Sequence, residues 1–198
     1  MRAAIVLNSK GNIAKIEEDY IIATDAGYKE VLLQGKKPNI VIGDFDSSDM
    51  PKDLDVIKLQ IEKDDTDGQA AIEYAKEHSI DEIVIYGVTG GRLDHELCNL
   101  SLLAKAHSYG IDASAKQPDV TIFYKETGKV MFDINKGSTF SIIAFGDELT
   151  ITKGKGCKYP INNLNISKYD LGRSISNIAL DDKVSFEITK GSCLIFKY

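Results

Sequence analysis

An α/β domain built on a doubly wound, mostly parallel sheet, followed by a smaller all-β domain, is the fold class this sequence predicts. Three observations predict it. Up to about residue 125, short β-branched apolar runs alternate with helical stretches, the pattern of a parallel sheet with crossover helices. After residue 127 the helical period disappears, and strand-like runs follow one another between Gly, Asn and Asp turns, as in an antiparallel sandwich or barrel. The chain has 198 residues, 43% of them hydrophobic, enough for one large or two small domains with a real core. The expected domains are 1–127 and 128–198, with the boundary near Glu126–Gly128.

The buried strands expected in the first domain are "AAIVLN" (3–8), "YIIATD" (20–25), "NIVIGD" (39–44), "DVIKLQ" (55–60), "EIVIYG" (82–87) and "VTIFYK" (120–125). Each is a short apolar run rich in β-branched residues. A helix is predicted to open at Thr66, because Thr66 and Gln69 have the spacing of a capping box and Ala71, Ile72 and Ala75 follow on one face. A second helix is predicted over about Leu93–His107, where Leu93, Leu97, Leu100 and Ala104 step at the helical period. In the second domain "KVMFDI", "TFSIIAFG", "ELTITKG", "SISNIAL", "KVSFEITKG" and "SCLIFKY" read as separate short strands.

Charge and composition exclude several functions. The net charge of -6 argues against duplex nucleic acid as a partner, since phosphate binding needs basic surface. No apolar run reaches the roughly 20 residues of a membrane span. The N-terminal stretch lacks a signal-peptide cleavage pattern. Cys98, Cys157 and Cys193 are far apart and odd in number, which speaks against a disulfide framework or a zinc site and fits a cytoplasmic location.

The chemistry sits where the predicted strands end. In a parallel sheet, ligands bind beyond the carboxyl ends of the strands. "YIIAT" ends in Asp25-Ala26-Gly27, and "NIVIG" ends in Asp44-Phe45-Asp46. "DVIKLQIE" leads into Lys63-Asp64-Asp65-Thr66-Asp67, and "EIVIYG" into "VTGGRLDH". Each motif alone reads as a turn, a cap or a solvated loop. Four charged loops at one edge are harder to dismiss. Asp44 and Asp46, at i and i+2 of an extended chain, would point to one side with Phe45 turned into packing. Two such carboxylates suit a hard cation such as Mg²⁺. The glycines of "TGGR", the helix start behind them and Arg92 suit anions. The residues alone therefore indicate Mg²⁺-dependent phosphate or nucleotide chemistry, with no P-loop and no dinucleotide fingerprint.

"GDFDS" (43–47), "KDDTDGQAAI" (63–72), "GVTGGRLDHELCN" (87–99), "GCKYPI" (156–161) and "SN" (176–177) occur in this order. Together they resemble the thiamine pyrophosphokinase family over nearly the whole chain. The resemblance implies transfer of pyrophosphate from ATP to the hydroxyl of thiamine, giving thiamine diphosphate and AMP. It also implies Mg²⁺, a homodimer, an ATP-holding α/β domain, and a β domain that dimerises and contributes to the thiamine site. By motif, Asp44, Asp46 and Asp67 would hold Mg²⁺ and the triphosphate, with Arg92 in the catalytic set. Asp25, Asp64, Thr66, Gln69 and Asp94 would lie around ATP and the metal. Ser176 and Asn177 would reach thiamine or ATP. Eukaryotic members carry a Trp three residues after that Asn, where this chain has Leu180. Tyr159 is the candidate stacking partner. The alternatives are a related pterin pyrophosphokinase acting on a hydroxymethyl-dihydropterin, and a non-catalytic nucleotide or thiamine sensor.

Overall fold

The computed structural model describes every residue except 10–12, 47–48, 61–65, 168 and 170–171. The chain divides into two compact units, Met1–Pro118 and Asp119–Tyr198.

The first unit holds strands β1 (Arg2–Val6), β2 (Tyr20–Thr24), β3 (Ile40–Gly43), β4 (Val56–Lys58), β5 (Glu82–Tyr86) and β6 (Asp112–Lys116). Its helices are α1 (Gly27–Leu33), α2 (Asp67–Glu77) and α3 (Leu93–Ser108). The strands lie in the order β6-β5-β1-β2-β3-β4, and every described pairing among them is parallel. Ala4, Val6, Ile21, Ala23, Val41 and Val84 pack on one face with Tyr28 and Val31 of α1. The alternating residues Ile5, Ile22, Ile42, Ile83 and Ile85 are equally buried. Burial on both faces is why these strands read as continuous apolar runs.

α1 and β6 are absent from the sequence reading. α1 has only seven residues, too short for a clear period. β6, "DASAK", contains no β-branched or aromatic residue; its pairing with β5 makes it a strand. The two predicted helices are present, but the leucine stripe of α3 does not form the core. Leu93 and Leu97 are 71% and 62% exposed, while Leu102, Leu103 and Ala106 are buried. α3 carries apolar residues on two sides, and packing against β6 selects between them.

The second unit holds β7 (Thr121–Asp133), β8 (Thr139–Lys155), β9 (Leu164–Ser167), β10 (Asn177–Ile178) and β11 (Lys183–Lys197). All described pairings among them are antiparallel, in the order β10-β8-β11-β7 with β9 on β8. Their core includes Phe140, Ile142, Leu149, Ile151, Val184 and Ile195. Pairs of predicted short strands are here single long strands, and the glycines expected to be turns lie inside them. Gly191 shows the reason. It has φ 79, and a Cβ there would strike the Glu148 carbonyl oxygen. The pairing of β11 with β7 shifts register between Ile188 and Ser192, so this glycine bends the strand without ending it. β7 likewise runs through the expected boundary at 126–128, and the division falls at Pro118/Asp119. Among the described residues, no helix is long and apolar enough to cross a membrane.

Candidate active site

The carboxyl ends of the parallel strands open onto one cavity of about 1070 Å³, large enough for a nucleotide-sized ligand. The sheet order reverses at β1, with β2 on one side and β5 on the other. The chains leaving those strands diverge and open a crevice. Asn8 follows β1, Asp25 follows β2, and Asp44 and Asp46 follow β3; all four line the cavity. Thr66 and Asp67, at the start of α2, and the loop after β5 complete it.

Asp25 is buried at 6% exposure and takes the left-handed φ of 42. Its N–H donates to the Ile42 carbonyl at 2.9 Å, and Asn8 Nδ2 donates to its Oδ2 at 3.4 Å. A buried non-glycine residue in this region of backbone space costs of order 1 kcal/mol. The surrounding backbone holds it at the mouth of the crevice.

The Asp44-Phe45-Asp46 segment is not extended, contrary to the sequence reading. Phe45 has φ 57, and the Asp46 N–H donates to Asp44 Oδ1 at 3.1 Å. This is an aspartate turn, in which a side chain substitutes for a backbone acceptor. Phe45 still packs against the core of the unit, while both acids line the cavity. Among the described residues, no three acidic, histidine or cysteine side chains stand close enough to hold a metal ion between them.

At the start of α2 the capping box closes as its spacing predicts. Thr66 N–H donates to Gln69 Oε1 at 2.9 Å, and Gln69 N–H donates to Thr66 Oγ1 at 3.2 Å. Gln69 is thus tied to the cap, and Thr66 and Asp67 face the cavity.

The loop between β5 and α3 is pinned from outside itself. Ser9 Oγ donates to the Thr89 carbonyl at 2.6 Å, and Asn99 Nδ2 donates to the Val88 carbonyl at 3.3 Å. Glu96 Oε1 accepts from the N–H groups of Gly90 and Gly91 at 2.8 and 3.1 Å. Arg92 forks onto Asp94, Nε to Oδ1 at 3.2 Å and the terminal nitrogen to Oδ2 at 2.6 Å. The guanidinium holds the Asp94 carboxyl below the usual carboxylate range. The Gly-Gly amides, expected to meet an anion from outside, already have an internal one.

Of the sequence-predicted residues, Asp25, Asp44, Asp46, Thr66, Asp67, Arg92 and Asp94 line this one cavity. Asp64, with Lys63 and Asp65, lies outside the described residues. Ser176 and Asn177 belong to the second unit. Ser176 has φ 59, and its N–H donates to Ser141 Oγ at 3.0 Å. Asn177 is 2% exposed, and its carboxamide bonds the Tyr159 N–H and carbonyl at 3.0 and 2.8 Å. Tyr159 itself is exposed. Sequence reasoning missed Asn8, Ser9, Glu96 and Asn99. Glu96 alone carried a signal, as an acid in the first turn of a helix behind two glycines.

Among the described lining residues, six carboxylates stand against two fixed cations, Lys29 and Arg92. A bare polyphosphate would be repelled here. A polyphosphate accompanied by divalent cations would not.

Two family models match the chain: "Thiamin pyrophosphokinase, catalytic domain" over residues 14–114, and "Thiamin pyrophosphokinase, vitamin B1 binding domain" over residues 121–193. Thiamine pyrophosphokinase of Bacillus subtilis (strain 168) is 34% identical over 190 residues, covering 89% of this chain and 86% of the relative. Among solved structures, thiamine pyrophosphokinase from Bacillus subtilis superposes with TM-score 0.85 at 28% identity, covering 100% of this chain and 98% of the other. That of thiamin pyrophosphokinase from Geobacillus thermodenitrificans also gives TM-score 0.85, at 26% identity, with coverage of 100% and 97%.

Proposed function

This chain belongs to the thiamin pyrophosphokinase family, and from that premise we infer that it is an ATP:thiamine diphosphotransferase. It transfers the pyrophosphoryl group of ATP to the thiamine hydroxyl, yielding thiamine diphosphate and AMP. The observation that carries the reading is the single cavity at the strand ends, shared by Asp44, Asp46, Asp67 and Arg92. The vitamin B1 binding domain match over 121–193 favours thiamine over a pterin alcohol.

The reaction joins the thiamine oxygen to the β-phosphorus of ATP and breaks the bond between that phosphorus and the oxygen it shares with the α-phosphorus. AMP leaves, and the hydroxyl proton is released. Alignment and charge neutralisation govern such a transfer. The donor set of Asp44, Asp46 and Asp67 is all oxygen, which fits Mg²⁺. This ion is held by one or two carboxylates plus substrate phosphates and water more often than by an all-protein cage. That habit accounts for acids sharing a cavity without a closed three-ligand cluster. Bound Mg²⁺ supplies neutralisation of the polyphosphate charge. Arg92, preset by Asp94, meets phosphate oxygens with a planar fork. Asp25, held by Asn8, faces the same space, and Thr66 and Asp67 border it. Asp64 belongs to the same proposed ATP set by motif. In the second unit, Ser176 and Asn177 are assigned to thiamine or ATP, with Asn177 fixing the backbone of Tyr159. We read the protein as a cytoplasmic homodimer; light scattering of the purified protein is expected to give twice the chain mass, and a single-chain mass overturns that assembly.

The decisive assay incubates the protein with ATP, Mg²⁺ and thiamine. AMP accumulates in step with thiamine diphosphate, and chelation of the divalent cation stops both. Absence of AMP with thiamine, or AMP formed only with a hydroxymethylpterin, overturns the reading. Cys98 provides a second test, because it is exposed and lines the cavity. Cys193 is buried, which pushes its thiol up to about 12. In the native protein a thiol reagent therefore labels Cys98 and spares Cys193, and Mg²⁺ with ATP slows the Cys98 reaction. Labelling of Cys98 at the same rate with and without nucleotide would place ATP elsewhere.

A further inference from the structure

We propose that Glu96 is the positioning residue that sets Arg92 for the polyphosphate of ATP. The inference rests on the ATP-binding reading above and adds a residue to it. The Glu96 carboxylate takes the N–H groups of Gly90 and Gly91 at 2.8 and 3.1 Å. Its own N–H donates to the Arg92 carbonyl at 2.9 Å. One residue thus ties the backbone on both sides of the Arg92 peptide nitrogen. Arg92 is the N-cap of α3, and its own side chain makes no capping bond there.

The tie is needed because of what precedes Arg92. Two consecutive glycines have more backbone freedom than any other pair. Gly90 holds a φ of 94, and a Cβ at Gly91 would meet no atom within 4 Å. Packing therefore does not fix Gly91. Upstream, the loop is held at Val88 and Thr89 by Asn99 and Ser9; at Gly90 and Gly91 the hold is Glu96. An acid in a first turn is ordinarily a helix cap. This one reaches past the N-cap to the two residues before it, so it orders the loop as well as ending the helix. It also occupies both glycine amides. The Gly-Gly pair then acts as a latched hinge, and the guanidinium it carries is the group presented to phosphate.

The test compares Glu96→Ala, Glu96→Gln, Arg92→Ala and the Glu96→Ala/Arg92→Ala double variant. The readouts are the KM for ATP, the KM for thiamine, and hydrogen exchange at the Gly90 and Gly91 amides. Glu96→Ala accelerates exchange at both amides and raises the ATP KM about tenfold, equivalent to about 1.4 kcal/mol, with the thiamine KM unmoved. Glu96→Gln retains an oxygen that accepts both amides and recovers most of the ATP KM. In the Arg92→Ala background, Glu96→Ala adds nothing further. An unchanged or lowered ATP KM in Glu96→Ala, with a raised one in Arg92→Ala, overturns this inference alone. A lowered value would show the carboxylate competing with phosphate. A normal ATP KM in Arg92→Ala overturns the nucleotide role of Arg92 itself.

Discussion

Asp44→Ala and Asp46→Ala each lower kcat/KM by about a hundred- to a thousandfold, the scale seen when a group that stabilises transition-state charge is removed. Both acids lie past the end of β3, on the aspartate turn that opens into the cavity. Neither contributes apolar surface to a core, so the thermal midpoint holds. It can rise, because removing one charge from a crowded acidic set relieves repulsion when no cation is bound. Asp44→Asn separates the two roles of that residue. Its carboxamide oxygen can still accept the Asp46 N–H and keep the turn, while the negative charge is lost. The amide variant is expected to be nearly as inactive as alanine, with the fold unchanged by circular dichroism. AMP release measured across Mg²⁺ concentrations checks this, and wild-type turnover in any of the three variants removes these acids from the metal role.

Gly27→Ala lowers stability by about 2–3 kcal/mol, the usual penalty for overpacking a tight contact. A Cβ at Gly27 would strike the Val6 carbonyl oxygen and come within 3.0 Å of the Leu7 carbonyl. Those atoms are backbone at the end of β1, so no side chain can swing aside. Relief requires α1 to lift away from β1, and Asp25 lies two residues before Gly27. For a chain of this size the midpoint falls by roughly 5–10 °C. The kcat/KM falls as well, because Asp25 leaves its place at the crevice. Thermal unfolding with a parallel activity assay reads both, and wild-type behaviour in Gly27→Ala would mean that the close approach of α1 to β1 is not maintained in solution.

The sequence alone shows the α/β unit because its strands are buried on both faces and carry β-branched runs that stand out. It shows the capping box of α2 because Thr66 and Gln69 bond within four residues. It shows the acidic loops because each lies between a strand and the helix or strand after it. What it misreads has a common cause. The expected strands of the second unit are cut at glycines that are bends within long strands, since a turn and a bulge ask for the same residue. The α3 stripe chosen by period is the exposed one, since both sides of that helix are apolar. Asn99 and Ser9 are invisible, and Glu96 shows only as a first-turn acid, because the partners of a side chain are not written in its spacing.

By itself, the order of residues determined that apolar runs become strands, that helices begin at caps, and that the acids fall in the turns after strands. These are local matters of dihedral preference, hydrophobic period and short-range hydrogen bonding. Only the tertiary structure decided that Asp25, Asp44, Asp46 and Asp67 share one cavity, that Asp44 and Asp46 sit on a tight turn, and that the Gly-Gly amides are held by Glu96. Those outcomes depend on parallel pairing around β1, which brings together loops far apart in the chain, and on which neighbour reaches a backbone amide first.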